Sequence, residues 1–200
     1  MFGLTGGIAT GKSRVAALLR ERGVPMVDAD ELARQAVEPG SRGLAEVLAQ
    51  FGSGVLAPDG SLDRGRLAAM VFSDTEARER LNAIVHPRVR ELSQERFGAL
   101  ERAGQELAGY DVPLLFEVGL DRVLKPVVVV GATESAQIAR LAERSGMTEG
   151  EARARIAAQL PLAEKRARAD YVLENDGSLE ELASKVDALA QWLRADSGVR

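Results

Sequence analysis

The octet Gly6-Gly7-Ile8-Ala9-Thr10-Gly11-Lys12-Ser13 follows directly on the apolar run Phe2 to Thr5 and opens onto Val15, Leu18 and Leu19 at helical spacing. It is a full match to GxxxxGK[ST]. A strand, a glycine-rich turn and a helix in that order commit the chain to an α/β fold in which the turn sits at the carboxyl end of a strand. Glycines let the backbone wrap an anion so that successive N–H groups point inward, and the helix N-terminus adds a favourable dipole. Gly7, Ile8, Ala9, Thr10, Gly11, Lys12, Ser13 and Arg14 are therefore expected to hold the phosphates of a nucleoside triphosphate. Lys12 supplies charge to the terminal phosphates, and the Ser13 hydroxyl is a hard oxygen ligand suited to phosphate-bound Mg²⁺.

The rest of the chain fits a parallel sheet covered by helices. Four further runs read as strands: Pro25 to Asp28, Leu107 to Leu115, Pro126 to Ala132 and Tyr171 to Glu174. Val127 to Val130 is four valines in succession, the continuous β-branched burial that a central parallel strand requires. The run at Leu107 to Leu115 is the weakest, because Gly109 and Pro113 interrupt it. Residues 31–106 are too long for one crossover and read as an inserted helical subdomain. Leu44, Val47, Leu48 and Phe51 hold helical spacing there, as do Leu81, Ile84 and Val85 after the capping pattern Ser73-Asp74-Thr75-Glu76. A second helical stretch, 134–169, is rich in arginine and reads as a lid. The last helix, Leu179 to Arg194, is expected to bury Leu179, Leu182, Val186, Leu189 and Leu193. The expected division is a core of 1–30 plus 107–200 and an insertion at 31–106.

Composition narrows the chemistry. With 200 residues the chain is one compact domain with an insertion, and its 46% hydrophobic content is ordinary for a globular protein. The absence of cysteine and the single histidine, His86, remove thiolate, disulfide and multi-histidine metal chemistry. Twenty-six basic residues against 30 acidic give a net charge of −4, which argues against a nucleic-acid partner. No apolar run reaches the ~18 residues of a membrane span, and MFGLTGG lacks a basic leader, so a soluble cytoplasmic protein is expected.

A GTPase would need DxxG and [NT]KxD. DxxG is absent, and Ser184-Lys185-Val186-Asp187 falls inside a helix. Asp28-Ala29-Asp30 closes the second strand at the edge where open α/β sheets bind ligands. If the chain stays extended there, alternation puts both carboxylates on one side, one to accept an acceptor proton and the other to help hold Mg²⁺; alternatively Asp30 caps the helix from Glu31. Asp111 in the third strand is the other candidate metal partner. His86, before Pro87, is read as standing at a helix start. Arg144 lies one turn from Arg140, and Lys165, Arg166 and Arg168 form either a phosphate grip or an exposed charge run.

Five segments in series, GLTGGIATGKS, VDADELARQAVEPGSRGL, LNAIVHPRV, DVPLLFEVGL and YVLENDGS, resemble the dephospho-CoA kinases over almost the whole chain. The resemblance implies a five-stranded parallel core, a helical CoA-binding domain, a lid, and transfer of the ATP γ-phosphate to the ribose 3′-hydroxyl of dephospho-CoA. It places the proposed base on Asp30, the lid arginine on Arg140 and the acceptor-contacting leucine on Leu114. Arg34 and His86 are expected beside them among the substrate-binding residues. The chain departs from the family in the weak strand before DVPLL, in Ala9-Thr10 where glycine and a small residue are common, and in Arg14 where threonine is common. Another P-loop kinase of a nucleoside or small metabolite and a nucleotide-gated binding or regulatory protein are the rival readings.

Overall fold

The computed structural model describes residues 1–72 and 74–196, with only the backbone of Asp196. Five strands, β1 (Phe2–Gly6), β2 (Met26–Asp28), β3 (Gly109–Asp111), β4 (Val127–Gly131) and β5 (Tyr171–Glu174), form one parallel sheet in the order β2-β3-β1-β4-β5. The registers pair Leu4 with Asp111 and with Val128, and Val130 with Leu173. The chain clusters into two compact units, Asp28–Ala99 and the remainder.

In the unit built on the sheet, β1 and β4 are buried along their whole length. Each fully buried valine contributes about 1.5–3 kcal/mol relative to an exposed one, so Val127 to Val130 anchor the core. Helix α1 (Lys12–Glu21) lays Val15, Ala16, Leu18 and Leu19 into the same cluster. So does the last helix, α9 (Leu179–Asp196), through Leu182, Val186, Leu189 and Leu193. Leu179 departs from the expected stripe: it is 67% exposed, because it opens the helix ahead of the first turn that reaches the sheet. Trp192 stacks at a tilt on Tyr171, ring centroids 5.0 Å apart, at the edge of this core. Lys185 and Asp187 lie mid-helix, donating to the Glu174 carbonyl and pairing with Arg22.

Strand β3 is three residues long. Pro113 has no N–H to extend the ladder, while Gly109 is required by packing rather than being a weak point: a Cβ there would lie 2.4 Å from Met26 Sδ and 2.6 Å from Phe2 Cζ. Between β4 and β5 run α6 (Glu134–Ser145), α7 (Glu149–Ala157) and α8 (Leu162–Ala167). Thr133 caps α6 through Ala136 N, and Thr148 with Glu151 forms a full capping box on α7.

In the other unit, α2 (Ala29–Gln35), α3 (Arg42–Phe51), α4 (Arg64–Phe72) and α5 (Thr75–Arg102) surround a small core of Val37, Val47, Val55 and Leu67. Leu48, Phe51, Leu81, Ile84 and Val85 pack against it. Ser41 caps α3 through Leu44 N, and Asp74 caps α5 through Ala77 N. Ser73 of the expected capping pattern lies outside the described residues. Helix α5 continues through Pro87, so His86 is an exposed mid-helix residue and not the start of a helix. A proline in sequence marks a helix boundary, but here the helix accepts the loss of one backbone hydrogen bond at Pro87.

Candidate active site

Parallel strands deliver their carboxyl ends to one edge of the sheet. From β1 the chain runs toward β2 on one side, and from β4 toward β5 on the other, so the switch in direction falls between β1 and β4, where such sheets bind ligands. The loop 6–13 emerges there. Gly11 has φ +90, and a Cβ on it would lie 2.1 Å from Asn175 Nδ2, so only glycine fits. Lys12 and Ser13 open α1, where no preceding turn supplies acceptors for their amides.

Ala9 has φ +58 and is the one non-glycine with positive φ among the described residues. A left-handed L-residue is strained by about 1–2 kcal/mol, against about 0.5–1 kcal/mol of extra chain entropy lost by glycine. Ala9→Gly should therefore raise the thermal midpoint, by up to about 2–4 °C for a chain of this size. A midpoint that stays put or falls in differential scanning calorimetry would show that the loop is not strained at Ala9.

The Lys12 ammonium forms a close ion pair with Asp111 Oδ1 from β3, both side chains being largely buried. The structure thus brings together two residues that the sequence singled out from opposite halves of the chain. Arg140 of α6 donates to the Ala9 carbonyl at 3.2 Å and to the Asn175 carbonyl at 2.6 Å, so the expected lid arginine touches the loop backbone. Arg144 is exposed. Ser13 and Arg14 are exposed at the head of α1, and Leu114 is 47% exposed just beyond β3.

Lys165, Arg166 and Arg168 are each paired with a carboxylate, and of the three only Arg168 is exposed. Lys165 is fully buried with Nζ 2.7 Å from Glu117 Oε1, an ion-pair contact without hydrogen-bond alignment. Arg166 binds Glu174 through two nitrogens, at 2.7 and 2.8 Å. Arg168 pairs with Asp121 and lies 4.6 Å over the Phe116 ring. A carboxylate meets each of these charges, which spacing alone does not reveal.

In the other unit, Asp28 and Asp30 do not alternate along a strand. The backbone turns helical at Ala29, and Asp28 is the N-cap, its Oδ1 accepting from Asp30 N at 2.8 Å and Glu31 N at 3.1 Å. The expected extended pair and the alternative cap at Asp30 are both corrected by this: a cap must precede the amides it satisfies, and Asp28 does. Arg34 is exposed on α2.

Sequence reasoning passed over Gln137, Gln159, Asn175 and Glu117. Gln137 is only 3% exposed and donates to the Ile8 carbonyl at 2.6 Å; Ile8 N–H donates to Gln159 at 2.8 Å; Asn175 donates to the Thr10 carbonyl at 2.8 Å. Asn175 at the carboxyl end of β5 was the one with a readable signal. After it, Asp176 accepts from Thr133 N at 2.8 Å and Thr133 Oγ1 at 2.9 Å, and the backbone bond above all holds its carboxyl below the usual aspartate range. A depressed folded-state pKa contributes stability above the unfolded value of about 3.9 and loses it as pH falls through the folded value. Below pH ~4 the parent should therefore lose thermal stability more steeply than Asp176→Asn. Parallel midpoint-against-pH curves for the two proteins would contradict that coupling.

The parallel sheet and the GxxxxGKS loop define a P-loop α/β protein. Its family model match is to dephospho-CoA kinase, over residues 1–181, and the chain belongs to that family. A curated dephospho-CoA kinase of Anaeromyxobacter dehalogenans is 56% identical over 200 residues, covering 100% of this chain and 95% of that one. That of Geobacillus kaustophilus is 50% identical over 192 residues, covering 96% of each. The crystal structure of TT1252 from Thermus thermophilus superposes with a TM-score of 0.83 at 43% identity, covering 96% of each chain. Dephospho-CoA kinase from Campylobacter jejuni, 24% identical, shares the fold with a TM-score of 0.73 over 98% of each chain. The chain is therefore an enzyme of the kinase class.

Proposed function

We propose that this enzyme transfers the γ-phosphoryl group of ATP to the ribose 3′-hydroxyl of dephospho-CoA, giving coenzyme A in the cytoplasm, and that it does so by positioning and charge neutralisation. The observation that carries the reading is Lys12, held at the head of α1 in the phosphate loop and paired with buried Asp111. In phosphoryl transfer the protein has little covalent work to do, so a fixed cation and aimed backbone dipoles account for most of the effect.

Each expected residue takes a role in that scheme. The loop 7–14 holds the β- and γ-phosphates, and Lys12 exchanges Asp111 for phosphate oxygens when the nucleotide arrives. Ser13 and Asp111 offer the hard oxygen donors that Mg²⁺ prefers, with Asp28 as the remaining candidate. Mg²⁺ when bound would neutralise phosphate charge. Asp30 accepts the proton of the 3′-hydroxyl as that oxygen bonds to the γ-phosphorus and the bond to ADP breaks. Arg140 meets the charge that develops on the transferred group, while Leu114, Arg34 and His86 contact the acceptor. The inserted helical unit serves as the acceptor-binding domain, and α6 to α8 serve as the lid. No helix among the described residues is long and apolar enough to cross a membrane.

The test is label transfer. With γ-labelled ATP, Mg²⁺ and dephospho-CoA, label should appear in a product with the mass and retention of CoA. Release of the label only as inorganic phosphate would refute the transfer.

A further inference from the structure

We propose that Gln137 of α6 and Gln159, between α7 and α8, are positioning residues that keep the phosphate loop open by holding the Ile8 backbone. The inference rests on the reading of loop 6–13 as the phosphate site.

Helix α1 begins at Lys12, and an α-helix bonds each N–H to the carbonyl four residues earlier. Extending α1 backward would require the amides of Lys12, Ser13 and Arg14 to take the carbonyls of Ile8, Ala9 and Thr10. Side chains already occupy all three: Gln137 Nε2 donates to Ile8 O at 2.6 Å, Arg140 Nη1 to Ala9 O at 3.2 Å and Asn175 Nδ2 to Thr10 O at 2.8 Å. The acceptors that would close the first turn are taken from outside. The Arg14 N–H turns instead to the Gly11 carbonyl at 2.9 Å, and the amides of Lys12 and Ser13 are left for an anion, which is what a phosphate site at a helix N-terminus needs.

Ile8 is held from both sides, because its own N–H donates to Gln159 Oε1 at 2.8 Å. Gln159 is itself fixed. The next residue, Leu160, donates its N–H to Glu117 Oε1 at 3.4 Å, and the same oxygen lies 2.7 Å from the fully buried Lys165 Nζ. The contact of buried Lys165 with Glu117 thus sets the position of the segment from which Gln159 reaches the loop. Both glutamines come from the stretch between β4 and β5, so the placement of that stretch and the conformation of the loop are tied through one residue. The two amides do opposite jobs: position 137 must donate, and position 159 must accept.

That asymmetry gives the test. Glutamate at 137 sets a carboxylate against a carbonyl, whereas glutamate at 159 still accepts from an N–H. Tripolyphosphate binding is measured by calorimetry, with kcat and KM for ATP and for dephospho-CoA alongside. Gln137→Glu should weaken tripolyphosphate binding and raise KM for ATP by about tenfold or more, the scale of one lost hydrogen bond. KM for dephospho-CoA should move little. Gln159→Leu should lose about tenfold, and Gln159→Glu should recover most of that loss. If Gln137→Glu does not fold, Gln137→Met, which introduces no charge, replaces it with the same expectation. Equal losses in Gln159→Leu and Gln159→Glu, or position-137 variants that bind tripolyphosphate like the parent, would overturn the proposal while leaving the phosphate site standing. A parent that binds no tripolyphosphate would overturn both.

Discussion

Lys12→Ala should lose phosphoryl transfer by a factor of about 10² or more and also lose about 3 kcal/mol of stability. The first loss follows from the loop: a neutral side chain cannot stand in for a fixed cation at the phosphates. The second follows from the pairing with Asp111, since removing one partner leaves the other carboxylate buried without the charge it faced. The two effects separate in a double variant. Lys12→Ala with Asp111→Asn should regain most of the lost stability in urea unfolding while turnover stays low. If stability recovers and activity returns with it, Lys12 acts only through folding.

Asp30→Asn should lower turnover by roughly 10²–10⁴ with ATP affinity little changed, because it keeps the size and removes the proton acceptor. The comparison with Asp28→Asn is clean in this structure. Asparagine caps a helix as well as aspartate does, so α2 should survive the change at its N-cap intact. A defect in Asp28→Asn that recovers as Mg²⁺ is raised would place Asp28 at the metal, since mass action offsets weakened binding but supplies no base. Near-parent turnover by Asp30→Asn would exclude it as the base.

The strands were legible because burial writes itself into composition: Val127 to Val130 announce a central strand, and β5 runs Tyr171–Glu174, as the sequence suggests. The phosphate loop was legible because Gly11, Lys12 and Ser13 are local chemistry at fixed spacing. What stayed hidden depends on partners far away in sequence. Gly109 looked like a flaw until Met26 and Phe2 were seen against it. Lys165 looked like a surface charge until Glu117 was seen beside it. The helix start at Ala29 turned on which aspartate preceded two free amides, a choice that Asp-Ala-Asp leaves open. Gln137 could not be picked out of α6 because its function depends on a carbonyl 129 residues away.

The most direct measurement is a competition. Dephospho-CoA, AMP, adenosine and shikimate are offered together at equal concentration with Mg-ATP, and the phosphorylated products are counted by mass spectrometry. CoA should dominate, its formation matching ADP released one for one. Phosphorylation of another acceptor in preference, or ADP formed without CoA, would contradict the proposed transfer.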